Sequence, residues 1–340
     1  MTKLYLTYDD VLLLPNYSEV TPSRTDLEGK IPIIASPMDT VCEKEMAFAL
    51  GKLGGYGIIH RNLPIVKQAD QIAWVLKQKV NCGAAVGVGP DFEERVKALI
   101  NAGAKEICVD SAHGHTKHVI EAIRRIKTFH PGVEIIAGNV ATYEGAKDLF
   151  NAGADVVKVG MGPGSICTTR IMSGMGVPQL TAVINCVRAA KKYKKKIIAD
   201  GGIKTSGDIV KALAAGADSV MLGSLLAGTD EAPGKLVTIK GKKFKTYRGM
   251  GSSAAMKLGS ASRYGQEKAA KKFVSEGVEG LVEYQGKLAE VVFQLIGGLR
   301  SGMAYLGAKN LRELKQKAKF IQISPAAWAE SKPHSLYEQK

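Results

Sequence analysis

The chain has 340 residues, 45% of them hydrophobic, and a formal net charge of +15. That length suits two average domains or one large α/β barrel with insertions, and it suffices to bury a sizeable core. No apolar run reaches the length of a membrane span and no basic-then-apolar leader opens the chain, so a soluble, cytoplasmic protein is expected.

In chain order, β-rich runs fall at Ile31–Ala35, Tyr56–His60, Gly83–Val88, Glu106–Asp110, Glu134–Gly138, Asp155–Gly160, Lys196–Asp200 and Ser219–Gly223. Amphipathic stretches such as Phe92–Ala102, Lys117–Phe129, Gly145–Ala152, Leu180–Tyr193 and Gly207–Ala215 lie between them. Near-continuous apolar strands separated by helices predict a parallel sheet covered on both sides. The motif Ala-Gly-Ala recurs at 102–104, 152–154 and 215–217, each time where a glycine can cap a helix in the left-handed conformation before the next strand. Eight such units favour a (β/α)8 TIM barrel over an open doubly wound sheet. Polar residues also cluster at the strand ends, where barrel enzymes place their chemistry.

After the eighth strand, roughly residues 227–285 form a glycine-rich insertion, expected to be an irregular, mobile flap over the site. A closing helix, Leu288–Leu306, follows, and the tail from about Lys319 to Lys340 shows no strong pattern. The whole chain, 1–340, is expected to be a single catalytic barrel domain.

Residues 160–169 read Gly-Met-Gly-Pro-Gly-Ser-Ile-Cys-Thr-Thr directly after an apolar run. Glycines let backbone N–H groups approach a ligand closely, and Ser165 can add a hydroxyl to a phosphate. Cys167 stands two residues beyond, within reach of whatever the phosphate anchors. Gly201-Gly202 and Gly223-Ser224 occupy the loops after strands seven and eight, the usual phosphate cradle of such barrels. Asp200, at the end of its strand, is placed to accept hydrogen bonds from a ribose diol. The other four cysteines, Cys42, Cys82, Cys108 and Cys186, sit in apolar or helical surroundings and read as small core residues. An odd number of cysteines without a C-x-x-C pair argues against both a disulfide framework and zinc. His113, His115 and His118 form no ligand set of known type, and the basic run 191–196 reads as a solvated helix terminus. Without aromatic interleaving, the positive charge favours anionic nucleotides over nucleic acid.

Taken together, the loop 160–170, Ser173-Gly-Met-Gly-Val-Pro-Gln179, Ala199-Asp-Gly-Gly202, Tyr247-Arg-Gly-Met-Gly251 and the opening Thr7-Tyr-Asp-Asp-Val-Leu-Leu-Leu-Pro15 resemble the inosine-5′-monophosphate (IMP) dehydrogenase family, from Leu6 to about Pro333. The sister enzyme, guanosine monophosphate (GMP) reductase, shares barrel, cysteine and nucleotide site but lacks an Arg-Tyr pair in its flap. Gly259-Ser-Ala-Ser-Arg-Tyr264 carries that pair, and Ile171–Val177 and Glu276–Gly280 also look like the dehydrogenase. Most dehydrogenases carry an inserted module of two CBS motifs. Here Leu76-Lys-Gln-Lys-Val80 runs straight into Asn81-Cys-Gly-Ala-Ala-Val86, so that module is missing near 79–82. A second departure is Arg61, where many bacterial relatives have lysine.

The resemblance implies oxidation of IMP to XMP with NAD through a covalent cysteine–purine intermediate, the committed step of guanine nucleotide synthesis. It gives catalysis to Cys167, Thr169, Arg263, Tyr264 and Glu276. Arg263 would activate water, a task that an ordinarily protonated guanidinium performs only in an unusual environment. Substrate would meet Ser36, Met38, Ser165, Asp200, Gly202, Gly223, Ser224, Tyr247, Gly249, Met250, Gly251 and Glu276. The cofactor pocket would use Asp110, Ser111, Ala112, Asn139, Gly160 and Gly162, with Tyr305 reaching in from a neighbouring subunit. A monovalent cation, potassium, would sit on carbonyls of Gly162, Gly164 and Cys167 together with Glu330, Ser331 and Lys332 of an adjacent chain. A homotetramer follows from those shared sites.

Overall fold

The computed structural model of the chain describes residues 4–266 and 273–333. The expected flap and tail therefore each run partly outside the described residues. Strands β1 (Ile33–Ala35), β2 (Tyr56–Ile59), β3 (Gly83–Val86), β4 (Glu106–Asp110), β5 (Glu134–Val140), β6 (Val156–Val159), β7 (Lys196–Asp200) and β8 (Ser219–Leu222) form a closed parallel barrel in chain order, with β8 pairing back onto β1. Each lies where the sequence predicts a strand. This is the (β/α)8 fold.

Helices α1 (Lys44–Lys52), α2 (Ile65–Lys77), α3 (Phe92–Asn101), α4 (Lys117–Phe129), α5 (Tyr143–Ala152), α6 (Gln179–Tyr193), α7 (Ser206–Ala214) and α8 (Leu288–Tyr305) cover the barrel. On α4, Val119, Ala122, Ile123 and Ile126 are buried at the i, i+3, i+4, i+7 spacing of one helical face. The Thr116 hydroxyl caps its N-terminus by accepting from the Val119 N–H. The Ala-Gly-Ala motifs do what their composition predicts: Gly103, Gly153 and Gly216 take φ of 99°, 112° and 110°. No segment intervenes between α2 and β3 beyond the short link 78–82.

The strands bury both faces. Outward residues pack beneath the helices, and one inward residue from each strand plugs the barrel: Ile34, Ile58, Ala85, Cys108, Ile136, Val156, Ile198 and Met221. Strand side chains alternate, so the residues two positions on share the inward face. They are Ser36, His60, Gly87, Asp110, Gly138, Lys158, Asp200 and Gly223. One step towards the carboxyl ends, then, the interior changes from apolar to polar, and three glycines leave room there.

Two expectations need correction. The stretch after β8 is not irregular: β9 (Leu236–Ile239), β10 (Lys242–Arg248) and β11 (Glu279–Glu283) form an antiparallel sheet, followed after β10 by a helix at Ser253–Leu258 and a 3-10 turn at Ser260–Tyr264. Strand β10 reads Lys-Lys-Phe-Lys-Thr-Tyr-Arg, whose charge hides its alternation. The tail is not patternless either. Phe320–Gln322 pairs antiparallel with Val11–Leu13, and helix Pro325–Glu330 follows. A three-residue strand held by pairing across the whole chain leaves too short a local signal to read.

The basic run closes α6, where Lys194 adopts φ 53° as the left-handed cap. Lys195 turns inward to Asp155, donating to Oδ1 at 2.6 Å, while Lys127 Nζ and the Ile135 N–H donate to Oδ2 at 2.7 and 3.0 Å. Burial would raise this carboxyl, but the two lysines and the Ile135 N–H outweigh it and hold the pKa below its ordinary value. A depressed carboxyl stabilises the fold above its unfolded pKa and ceases to do so as pH falls through the folded one. Asp155→Asn is therefore expected to lower stability by about 1–3 kcal/mol at neutral pH. In urea titrations the gap from wild type should close below about pH 4; a gap that persists there would contradict the ion-pair account.

Candidate active site

Beyond β6 the chain turns through Gly160 and Gly162, at φ +155° and +79°. A Cβ at Gly160 would collide with the Asp200 carbonyl, so only glycine brings these two strand ends this close. Arg170 braces the loop by donating to the carbonyls of Met161 and Val177 at 3.4 and 2.7 Å. A Cβ on Gly201 would lie 2.9 Å from the Pro163 ring, and one on Gly202 would lie 3.3 Å from it, so the two glycine turns nest together. Under Tyr247, a Cβ on Gly223 would lie 2.7 Å from the phenol oxygen. Burial raises the Tyr247 phenol, against a hydrogen bond with Ser165. Ser165, Gly202, Gly223, Ser224 and Tyr247 thus line one wall of a cavity of about 280 Å³. Backbone N–H groups in such glycine turns make a concavity for an anion.

Cys167 is half-buried on the same cavity, and its thiol donates to Thr169 Oγ1 at 3.3 Å. The loop is held by the flap. Cys167 and Gly277 form an antiparallel bridge, with the Thr168 N–H donating to the Glu276 carbonyl at 2.9 Å and the Val278 N–H to that of Ile166 at 3.0 Å. Glu276, Tyr264 and Arg263 accordingly reach the cavity from above. Burial pushes the Tyr264 phenol up, among Arg263, Cys167 and Glu276. At the flap's base Arg248 makes a two-pronged bond to Asp39, Nε to Oδ1 at 3.0 Å and Nη2 to Oδ2 at 2.8 Å.

Arg263 forms an ion pair with Asp110, and its carbonyl accepts from the Ala112 N–H at 3.2 Å. Asp110 is also held by Lys158, whose Nζ lies 2.9 Å from Asp110 Oδ1 and 3.5 Å from Asp200 Oδ2. Asn139 Nδ2 donates to the same Asp200 oxygen at 2.7 Å. Burial and then the nearby Arg263 lower the guanidinium of Arg61 to about 10, and Arg61 Nη1 donates to Ser262 Oγ at 3.1 Å.

Of the residues expected at the substrate, Ser36, Met38, Asp200, Gly249, Met250 and Gly251 also line the cavity, as do Thr169, Gly164 and, from the cofactor set, Ala112, Asn139, Gly160 and Gly162. Asp110 lies beneath the cavity wall. Ser111 turns aside, donating to the His113 carbonyl at 3.1 Å. Tyr305 stands 70% exposed at the end of α8, and Glu330, Ser331 and Lys332 are exposed where the last helix ends. None of these four lines the cavity of a single chain, and all four are residues that the resemblance gives to a neighbouring subunit. The sequence reading missed Lys158 and, on the cavity rim, Thr7 and Lys204. For Lys158 a signal existed, a lone charge inside an apolar strand.

A closed barrel with a thiol, glycine turns and buried carboxylates gathered at the carboxyl ends of its strands defines an α/β-barrel enzyme. Residues 5–334 match the family model described as the IMP dehydrogenase / GMP reductase domain, and the chain belongs to that family. It is similar to proteins named inosine-5′-monophosphate dehydrogenase from three bacteria. That of Aquifex aeolicus is 42% identical over 468 residues, covering 97% of this chain and 95% of the relative. That of Borreliella burgdorferi is 44% identical over 397 residues, covering 99% and 98%, and that of Staphylococcus saprophyticus is 39% identical over 467 residues, covering 97% and 96%. An alignment of 468 positions exceeds the 340 residues here, so that relative carries sequence with no counterpart in this chain. Among the described residues no helix is long and apolar enough to cross a membrane.

Proposed function

We propose that this chain oxidises IMP to XMP with NAD, in the cytoplasm, as the committed step of guanine nucleotide synthesis. The observation that carries the choice is the flap: Arg263 and Tyr264, the pair that GMP reductases lack, close over Cys167 and the carboxylates below it. On this reading Ser165, Gly202, Gly223, Ser224 and Tyr247 hold the phosphate. Asp200 takes the ribose diol, and Ser36 and Met38 face the base, with Gly249, Met250, Gly251 and Glu276 closing around it.

The Cys167 thiolate adds to C2 of the purine, which divides a difficult substitution into two easier steps. NAD, when bound, would supply the acceptor for the hydride that leaves C2 with its electron pair. The donor set suits such a group: Asn139 Oδ1 is a buried acceptor without a partner among the described residues, and Gly160 and Gly162 line the same cavity. Asp110, Ser111, Ala112, Asn139, Gly160 and Gly162 would hold it, with Tyr305 of an adjacent subunit. Arg263, once it has released one proton to solvent and stands neutral, takes a proton from water, the water oxygen bonds to C2, and the C–S bond breaks with its electron pair returning to sulfur. Thr169 with Glu276 offers a second route for that proton.

Potassium would sit on the carbonyls of Gly162, Gly164 and Cys167, neutral oxygens of the kind that suit a hard monovalent cation. Glu330, Ser331 and Lys332 would complete the site in a homotetramer. The direct passage from α2 to β3 supports the absence of a CBS module, and with it of purine-nucleotide regulation there.

Paired assays test the assignment. IMP with NAD⁺ should yield NADH, faster with potassium than without, and GMP with NADPH should give nothing. Turnover of the second pair alone would make the chain a GMP reductase instead.

A further inference from the structure

The charge beneath the flap goes beyond what the reaction above requires. Lys158, fully buried, bridges Asp110 and Asp200, and Arg263 pairs with the other oxygen of Asp110. These side chains and Asn139 form one chain of contacts from the carboxylate assigned to the substrate ribose to the flap arginine. With Arg263 in place, two carboxylates face two cations and the formal charges cancel. With the flap withdrawn, one net negative charge remains.

On the dehydrogenase reading, on which this inference rests, a hydride acceptor and a water-activating arginine must both reach C2 above Cys167. They can do so only in turn, because reacting atoms must approach to roughly 3–3.5 Å. The guanidinium docks as a cation and must lose a proton to solvent before it can act as a base. The oxidised nicotinamide ring also carries a positive charge, which an arriving hydride cancels. Arg61, a like charge beside Arg263, opposes any cation seated there, so seating one depends on the carboxylates.

We infer that Asp110, Lys158 and Asp200 form a charge-selective seat, with Lys158 as its positioning residue. The seat holds one net negative charge, which favours the oxidised dinucleotide over the reduced one before hydride transfer and Arg263 over the reduced dinucleotide after it. Two unbridged carboxylates would repel each other and hold the flap too tightly. A neutral seat would make no distinction between the two redox forms. The lysine sets the charge between these limits and fixes where each carboxylate points.

Binding to a protein that cannot turn over tests this. In Cys167→Ala saturated with IMP, Kd is measured for NADH by its fluorescence and for NAD⁺ by displacement. NAD⁺ should bind roughly tenfold or more tightly than NADH, as one unit charge at close range dictates. Adding Asp110→Asn, which weakens any uncharged contact with the dinucleotide equally for both, should bring the two Kd values to within about threefold of each other by the same reasoning. Adding Lys158→Gln should widen the ratio, and Lys158→Arg should restore it. Circular dichroism shows whether the Lys158 variants fold; if Lys158→Gln does not, the Asp110→Asn ratio decides. A ratio unmoved by Asp110→Asn, or NADH binding the tighter, overturns the charge-selective seat alone. Failure of the IMP-bound Cys167→Ala protein to bind either dinucleotide overturns the dehydrogenase reading itself.

Discussion

Cys167→Ala is expected to cut turnover of IMP with NAD⁺ by roughly 10⁴-fold or more, the scale seen when a catalytic nucleophile is removed. Affinity for IMP should stay within a few-fold of wild type. The asymmetry follows from the geometry. Phosphate and ribose are assigned to groups at the ends of β6, β7 and β8 and to Tyr247 on β10, and the only side-chain hydrogen bond Cys167 makes among the described residues is to Thr169. Removing the sulfur thus takes away a bond-forming atom and little of the binding surface. Calorimetric titration with IMP and the rate of NADH formation measure the two halves separately. Residual turnover above about 1% would contradict covalent catalysis, given the cost of losing a nucleophile. The other cysteines cannot substitute. All four are buried, and burial raises their thiols, that of Cys82 to about 12. A thiol reagent at neutral pH should therefore label Cys167 first, and IMP should protect it.

The barrel was legible because each strand is a short, nearly unbroken apolar run and each helix shows one buried stripe; Val119, Ala122, Ile123 and Ile126 on α4 are enough to place that helix. Most of the cavity was legible for a related reason. Ser36, Asp200, Gly202 and Gly223 follow directly on strand ends, and a barrel delivers all strand ends to one face. The flap's sheet was not, since Lys242–Arg248 pairs through backbone while its side chains are mostly charged. Lys158 was visible but unread. Its neighbours Val156, Val157 and Val159 are core residues, and only closure of the barrel brings Asp110 and Asp200, 48 and 42 residues distant, to its ammonium. Pairings of that separation leave no local trace. The residues that the resemblance assigns to a neighbouring subunit, Tyr305 and Glu330–Lys332, show in one chain only as exposed side chains.

Arg263→Ala should separate the two halves of the reaction. The bond-forming sulfur and the contacts assigned to substrate remain, so the first turnover should produce NADH in an amount close to that of enzyme. Hydrolysis should then slow by roughly 10²–10⁴-fold, the usual worth of a positioned general base. Protein quenched in the steady state should carry purine on Cys167, detectable as added mass. Losing Arg263 also removes the flap's ion pair with Asp110, leaving Lys158 as that carboxylate's only charged partner among the described residues. The flap should then compete less well for the site, and NAD⁺ should bind at least as tightly as before. Tyr264→Phe distinguishes positioning from chemistry. It keeps the ring that packs against Gly251 and removes only the hydroxyl, so a much smaller loss is expected than for Arg263→Ala. Were Arg263→Ala to abolish the NADH burst as well, the arginine would belong to the hydride step, and water activation would fall to Thr169 and Glu276.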